Sequence, residues 1–150
     1  MRHSIHREQL LTRTPGEVFS FFAEARNLER LTPPFLRFRV LTPEPIVLAP
    51  GCVIDYRLRL CGVPLSWRSR IEAYDPPHGF VDVQEQGPYR HWRHRHTFQA
   101  APGGTLMIDH VEYEVGWSVL GSLAHAAFVG RALERIFDYR RQVIGAVFDR

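Results

Sequence analysis

Alternating apolar and polar residues mark the start of the chain as a strand followed by a helix. Residues 2–12 alternate with period two, which predicts an opening strand. Thr14 and Pro15 then predict a helix start, because threonine caps helices and proline suits the first turn. Glu17, three residues after the cap, completes a capping box. A second short helix is predicted over 27–31, and a proline pair shortly after ends it.

From residue 35 onward the apolar residues recur with period two for about 80 residues. Turns rich in proline and glycine divide this region into six predicted strands, at 36–43, 52–61, 65–74, 79–86, 90–100 and 105–116. Because no helix separates these strands, they should form an antiparallel meander. From about Leu120 to Phe148, apolar residues recur every three or four positions, which predicts one helix about 40 Å long.

The predicted strand over 90–100 carries two histidines on an aromatic face. The side chains on this face are Trp92, His94, His96 and Phe98, and arginines alternate with them on the other face. A four-residue loop at 101–104 pairs His96 with Asp109, and it adds Met107, Val111 and Tyr113 to the histidine face. A two-residue loop at 103–104 shifts the partners by two but keeps the same faces. Either loop pairs Arg93 or Arg95 with Glu112, which favours an outward charged face and an inward histidine face.

The preceding predicted hairpin separates its two faces in the same way. A loop at 61–64 gives an inner face of Ile54, Tyr56, Leu58, Leu60, Trp67, Ser69, Ile71 and Ala73. The outer face pairs Asp55 with Arg70. In the strand at 79–86 the pattern is ambiguous, because Phe80, Asp82 and Gln84 share one face and Val81 and Val83 share the other.

These elements predict an α+β architecture with one covered sheet. About seven strands form a curved antiparallel sheet, and only the long C-terminal helix is large enough to cover its buried face. A sheet curved around one helix commonly leaves a cavity between them, so an aromatic face that also holds imidazoles indicates a pocket. We find no linker or repeat and expect a single domain over 1–150.

Composition excludes several classes of protein. The chain is 45% hydrophobic and 23% charged, as in ordinary soluble domains, and we expect a cytoplasmic protein because no secretory signal or membrane-length apolar run is visible. All 19 basic residues are arginines scattered among acids, which disfavours nucleic-acid binding. Cys52 and Cys61 end the same predicted strand, about 30 Å apart, which is too far for a disulfide.

The chain resembles the START-related, pollen-allergen-like superfamily called SRPBCC, which includes polyketide cyclase-like proteins. The matching segments are 15–22, 27–34, 67–71, 80–84, 87–98, 104–113 and 136–140, and they are similar to a bacterial subgroup. The resemblance implies a helix-grip fold with a deep ligand cavity. It implies no single reaction, because the superfamily holds carriers, cyclases, hydrolase activators and oxygenase domains. The cysteine motifs of an iron–sulfur cluster are absent, and we predict no cofactor.

His94, His96 and Asp109 admit three interpretations. In the first, the three side chains form an internal polar network. In the second, they orient a ligand in the cavity. In the third, the two imidazoles and the carboxylate bind a transition metal. Arg140 interrupts the apolar stripe of the long helix. Its head reaches either the solvent or the cavity, where it either pairs with Asp109 or holds an anionic ligand group. The two tryptophans and two tyrosines on the inner faces indicate either core packing or a partly wet interior.

The leading hypothesis is therefore binding of a hydrophobic or aromatic small molecule between the sheet and the long helix. The predicted ligand-binding residues are Tyr56, Trp67, Ser69, Trp92, His94, His96, Asp109, Tyr113, Phe137 and Arg140, with no metal site. One alternative is an enzyme of the cyclase or dehydratase type that uses His94 or His96 with Asp109. Another is an accessory interaction module that docks an acidic partner on Arg57, Arg59, Arg68 and Arg70.

Overall fold

A computed structural model describes residues 1–60, 62–116 and 122–148, with side chains from 127 onward in the last range. In this part of the chain the strands are β1 Arg2–Leu11, β2 Arg39–Val40, β3 Val53–Leu60, β4 Val63–Asp75, β5 Gly79–Gln86, β6 Tyr89–Ala101 and β7 Gly104–Val115. The helices are α1 Pro15–Ala23, α2 Asn27–Leu31 and α3 Ser122–Phe148. Cys61 and the predicted helix start at Leu120 lie outside the described residues.

The strands form one antiparallel sheet in the order β1-β7-β6-β5-β4-β3-β2. The predicted helix-grip architecture is thereby confirmed, with two short helices after the first strand and one long helix at the C-terminal side. The capping box of α1 is present, since the Thr14 side chain accepts from the Glu17 backbone N–H and Glu17 Oε2 accepts from the Thr14 N–H at 2.9 Å. Among the described residues, no helix is both long and apolar enough to cross a membrane.

The predicted strand over 36–43 is wrong for most of its length. Only Arg39–Val40 pair with β3, because Pro34–Leu36 instead form a 3-10 turn. Pro33 and Pro34 have fixed φ angles and suit this turn, and Arg37 closes it with a left-handed φ of 46°. The chain then crosses to β3 without regular structure, and the Thr42 hydroxyl accepts a hydrogen bond from the Asp55 backbone N–H.

The predicted register of the hairpin between β6 and β7 is confirmed. Ala100 lies opposite Thr105, and His96 lies opposite Asp109. The histidine face is inward, and Phe98 is only 1% exposed. On the outer face, Arg93 lies opposite Glu112, as the charge pattern predicts. This register brings both imidazoles under α3.

The hairpin between β3 and β4 keeps the predicted faces but differs in register. Its turn is two residues shorter than predicted, so that Asp55 lies opposite Arg68 instead of Arg70. Arg68 Nε donates to Asp55 Oδ1 at 2.8 Å. An irregularity between Ile71 and Ala73 leaves Ala73 exposed, and Tyr74 packs against the core in its place. The predicted inward position of Ala73 is therefore wrong, because the extra residue changes which side chains face the core.

The ambiguous strand β5 presents Phe80 and Asp82 to the interior. Phe80 lies opposite His96 and Asp82 lies opposite His94, and both belong to the inner face. Gln84 follows on the same face, where its amide donates to the Tyr89 carbonyl at 2.8 Å and accepts from the Tyr89 N–H at 3.1 Å. A carboxylate is thereby placed beside the histidines, which the sequence pattern alone did not predict.

The helix α3 covers the sheet through two apolar clusters. Toward its N-terminal side, Val129, Leu133 and Phe137 pack on Val111 and Tyr113 of β7. Toward its C-terminus, its buried residues Ile144 and Phe148 join the larger core, which contains the buried residues of α1. The buried side chain of Arg140 lies between these clusters in the sequence of α3, where it reaches the polar residues of the sheet.

Candidate functional site

A cavity of about 190 Å³ lies between the sheet and α3. Its lining is mainly apolar and comes from every layer of the fold: Phe22, Ala25, Leu28, Leu31, Thr32, Leu36, Phe38, Leu48, Ile54, Tyr56, Leu58, Trp67, Ser69, Ile71, Phe80, Asp82, Trp92, His94, His96, Leu133, Ile136, Phe137 and Arg140. An apolar cavity of about 150 Å³ is sufficient for a benzene molecule. The space therefore admits one aromatic ring with a short substituent.

Three flat side chains form a continuous stack on the cavity wall. The rings of Phe80 and His96 lie 4.1 Å apart with planes 17° from parallel, and those of His96 and His94 lie 3.6 Å apart at 25°. The edge of Phe137 on α3 meets His94 at 5.7 Å. His96 is thus enclosed between two rings, and His94 is the end of the stack.

His94 forms a dyad with Asp109 of the neighbouring strand. His94 Nε2 lies 2.7 Å from Asp109 Oδ1, and the two residues are 6% and 2% exposed. An ionised carboxylate can only accept, so the ring N–H donates. The contact is short, as expected for a charge-assisted hydrogen bond. Asp109 does not itself line the cavity; it lies behind the histidines.

His96 forms a second dyad, with Asp82 of β5. His96 Nε2 lies 2.7 Å from Asp82 Oδ2. The Asp82 side chain is 19% exposed and lines the cavity. Sequence reasoning missed Asp82, and the only available signal was its position on the same face as Phe80, opposite the two valines of β5.

Arg140 of α3 closes the polar cluster from the helix side. Its Nη2 lies 3.4 Å from Asp109 Oδ1 and 3.5 Å from His96 Nδ1. Its guanidinium carbon lies 5.1 Å from the centroid of the Phe22 ring, within the range of a cation–π interaction. The prediction that Arg140 reaches Asp109 is confirmed, whereas its predicted role toward an anionic ligand stays a hypothesis.

Burial and the neighbouring polar groups shift the pKa values of the two carboxylates in opposite directions. Burial raises the pKa of Asp109, but the Arg140 charge and the hydrogen bond from His94 outweigh burial and hold that pKa below its usual range. Burial likewise opposes ionisation of Asp82, but the hydrogen bond from His96 acts in the opposite direction, and the pKa of Asp82 is lowered overall. Both carboxylates are therefore ionised near neutral pH.

Burial also determines the charge of His96. Burial and the adjacent His94 lower the pKa of His96 to about 4, although Asp82 acts against this shift. The neutral ring donates from Nε2 to Asp82, which leaves Nδ1 to accept from Arg140. In His94, the Nε2–H group donates to Asp109, and Nδ1 has no hydrogen-bond partner among the described residues. His94 Nδ1 is the nitrogen of the stack that remains available to a molecule in the cavity.

The remaining predicted residues separate into two groups. Tyr56, Trp67, Ser69, Trp92 and Phe137 line the cavity, whereas Tyr113 packs outside it. The Trp67 indole donates to Ser69 Oγ at 3.0 Å. Burial raises the pKa of the Tyr56 hydroxyl, which stays protonated. The predicted cavity position of Tyr113, like that of Asp109, is wrong, because α3 rests on β7 and the open space lies over the other strands.

Asp82, His94 and His96 contain the atom types of a transition-metal site, but their rings are stacked. One potential ligand atom of each residue lies within 4.8 Å of the other two. Zinc binds an imidazole nitrogen at about 2.1 Å and lies close to the ring plane. Because the planes of His94 and His96 differ by only 25° at a separation of 3.6 Å, both rings must turn before they share one ion. Of the three interpretations of these histidines, the geometry favours an internal hydrogen-bonded network over a metal site. This network contains Asp82 as well as Asp109.

Solved structures with this architecture span plants and bacteria. The ZhuI aromatase/cyclase from Streptomyces sp. R1128 superposes with a TM-score of 0.80 at 13% identity, over 100% of this chain and 95% of that chain. The di-domain ARO/CYC StfQ from the steffimycin biosynthetic pathway gives 0.78 at 12% identity, over 99% and 51%. Major latex-like protein 151 from Panax ginseng gives 0.69 at 10% identity, over 99% and 98%. At these identities the likeness shows the fold alone.

The sequence itself matches one family model over most of its length. A search of curated proteins finds no significant match. Residues 11–138 match the model described as polyketide cyclase / dehydrase and lipid transport. The match and the shared fold confirm the resemblance to SRPBCC proteins. The chain belongs to the polyketide cyclase / dehydrase and lipid transport family.

Proposed function

We propose that this protein binds a small aromatic or hydrophobic molecule in the cavity between the sheet and α3. The observation that carries the proposal is an apolar space bordered on one side by a compact polar cluster, with His94 and Asp82 on its wall. Ligand sites typically combine an apolar lining with a few polar groups that orient the ligand. The family description, which names cyclases and lipid transport, agrees with such a ligand.

The aromatic side chains of the wall favour a flat ligand. Trp67 and Trp92 both line the cavity and meet edge to face, with centroids 5.1 Å apart. These rings offer both faces and edges to a further ring, and aromatic pairs gain about 0.5–1.5 kcal/mol beyond their buried area. The shared fold with ZhuI, an aromatase/cyclase, supports the same class of ligand.

Filling the cavity should weaken ligand binding. Ala25 is buried and lines the cavity, so leucine at this position extends into the space that a ligand needs. We expect Ala25→Leu to weaken binding of benzyl alcohol at least tenfold, measured by ligand-observed NMR titration, with thermal unfolding as the check on folding. The matched control is Ala146→Leu, which adds the same side chain at an exposed position of α3. Equal affinity in the Ala25 variant and the control would place the ligand elsewhere.

A second candidate function is proton transfer, which the dyad of His94 and Asp109 favours. Asp109 holds the Nε2 proton of His94, so a lone pair on Nδ1 is oriented as in a general base. In a cyclase such a base removes a proton from the carbon beside a carbonyl, and the resulting enolate attacks a second carbonyl. In a dehydratase the same imidazole returns the proton to a leaving hydroxyl.

Solvent exchange tests the proton-transfer function without knowledge of the natural substrate. Acetophenone has one ring and exchangeable protons beside its carbonyl, so NMR in D₂O can follow their loss. A general base contributes on the order of 100-fold or more, and we expect His94→Gln to remove that acceleration while benzyl alcohol still binds. If wild-type protein and the variant exchange acetophenone at the same rate, His94 is not a base toward such ketones.

The outer face of β3 and β4 gives less support to an interaction module. Arg68 pairs with Asp55 at 2.8 Å, and Arg70 Nε lies 3.1 Å from Glu85 Oε1. These ion pairs reduce the positive potential that an acidic partner needs. We therefore assign the function to the cavity.

A further inference from the structure

The polar side of the cavity offers hydrogen-bond acceptors. Both nitrogens of His96 are occupied, by Asp82 and by Arg140. The Asp82 carboxylate lines the cavity, is partly exposed, and receives only the His96 hydrogen bond among the described residues. His94 lines the same space, is more than nine-tenths buried, and has no partner at Nδ1 among those residues. A ligand in this position can donate to these two side chains, whereas Arg140, which lines the same cavity, is itself a donor whose Nε has no partner among the described residues.

The charges of the cluster are unequal. Its permanent charges are the carboxylates of Asp82 and Asp109 and the single guanidinium of Arg140. Arg140 also lines the cavity, and its Nη2 lies 3.4 Å from Asp109 Oδ1. Asp82, which faces the cavity, is paired with the ring of His96 and with no arginine among the described residues. The two carboxylates thus share one guanidinium, and buried charges require a partner.

The aromatic part of the cavity lining suits a cation. Tyr56, Trp67 and Trp92 line it, and the faces of such rings attract positive charge. No lysine occurs in the chain, and Arg140 is held by Asp109 and Phe22. The cavity wall thus combines a carboxylate, an imidazole acceptor and aromatic rings. Together these groups form a site for the cationic group of a ligand.

We propose that the ligand is an aromatic amine in its protonated form, whose ammonium group donates to Asp82 and to His94. This inference rests on the proposed binding function and specifies the class of ligand. Two acceptors of one tetrahedral ammonium, each at about 2.9 Å, lie about 4.7 Å apart. One potential ligand atom of Asp82 and one of His94 lie within 4.8 Å of each other, which is the scale of this spacing. Asp82 repels an anionic group and Arg140 attracts it, so the ranking of cationic, neutral and anionic probes decides between the two side chains.

Three probes that share one ring and one carbon test this assignment. Benzylamine is cationic at pH 7, benzyl alcohol is neutral and benzoate is anionic. We expect benzylamine to bind at least tenfold more tightly than benzyl alcohol and benzoate to bind most weakly, by NMR titration at fixed ionic strength. Asp82→Asn preserves the shape of the side chain and removes its charge, so it should erase the advantage of benzylamine and leave benzyl alcohol unchanged.

The outcomes separate the two proposals. If benzyl alcohol and benzylamine bind equally to wild-type protein, the cavity binds aromatic molecules but the amine assignment is wrong. If none of the three binds, the proposed binding function itself fails for ligands of this size. Should Asp82→Asn not fold, the ranking of the three probes on wild-type protein still decides between these results. A ranking led by benzoate would assign the ligand contact to Arg140 instead.

Discussion

Arg140→Met should destabilise the protein by about 3–5 kcal/mol, the cost of leaving a buried charge without its partner. Arg140 and Asp109 are 7% and 2% exposed, and their contact at 3.4 Å places the only guanidinium of the cluster beside its most buried carboxylate. Methionine fills much of the same volume, so lost packing contributes less than lost charge. Urea unfolding at pH 7 measures the effect.

Arg141→Met is the matched control for this substitution. Arg141 is exposed and donates only to the Glu8 carbonyl, so its loss should cost no more than about 1 kcal/mol. Adding Asp109→Asn to Arg140→Met should recover part of the stability, because it removes the unpaired charge. A loss below 1 kcal/mol for Arg140→Met alone would mean that Asp109 does not depend on the arginine.

The second large effect is a loss of stability as the pH falls from about 6.5 to about 4. The pKa of His96 is about 4 in the folded protein, against 6.5 for an unperturbed histidine. Between these pH values the histidine is protonated in the unfolded chain but not in the folded protein. The free energy of unfolding therefore decreases as the pH decreases. A shift of this size corresponds to about 3 kcal/mol. The measurement is urea unfolding at a series of pH values.

His96→Gln separates this effect from the carboxylates. Glutamine still has an N–H group for Asp82 but does not titrate, so the slope between pH 6.5 and 4 should become shallower by one proton. The carboxylates act in a lower window. The pKa values of Asp82 and Asp109 are depressed in the folded protein, so their stabilisation is present above about pH 3.8 and is lost below it. An unchanged slope in His96→Gln would contradict a neutral buried His96.

The sequence predicts the histidine face well, because two constraints coincide there. The turn at 102–103 fixes the register of β6 and β7, and the pairing of Arg93 with Glu112 requires the charged face to be outside. The same arguments fail for β5. Its two valines form the more apolar face, yet Val81 is buried on the outer side of the sheet while Asp82 points inward. The alternation of side chains along one strand does not predict a buried carboxylate whose partner, His96, lies on another strand.

The alternation of side chains also does not show which part of the inner face borders the cavity and which part is covered by the helix. Asp109 and Tyr113 share the inner face of β7, but α3 lies directly on this strand through Leu133 and Phe137. The cavity therefore forms over β3 to β6, where Ser69 and Trp92 remain accessible to it. The position of a helix over a sheet depends on how side chains pack between the layers, which one sequence pattern does not encode.

The contact between a bound ring and the histidine stack tests the account most directly. In NMR spectra of wild-type protein with benzyl alcohol, we expect intermolecular NOEs from the ring protons to His94 and Trp92, which line the same cavity. They should disappear in Ala25→Leu. Contacts confined to exposed residues such as Phe35 and Leu10 would contradict a ligand site between the sheet and the long helix.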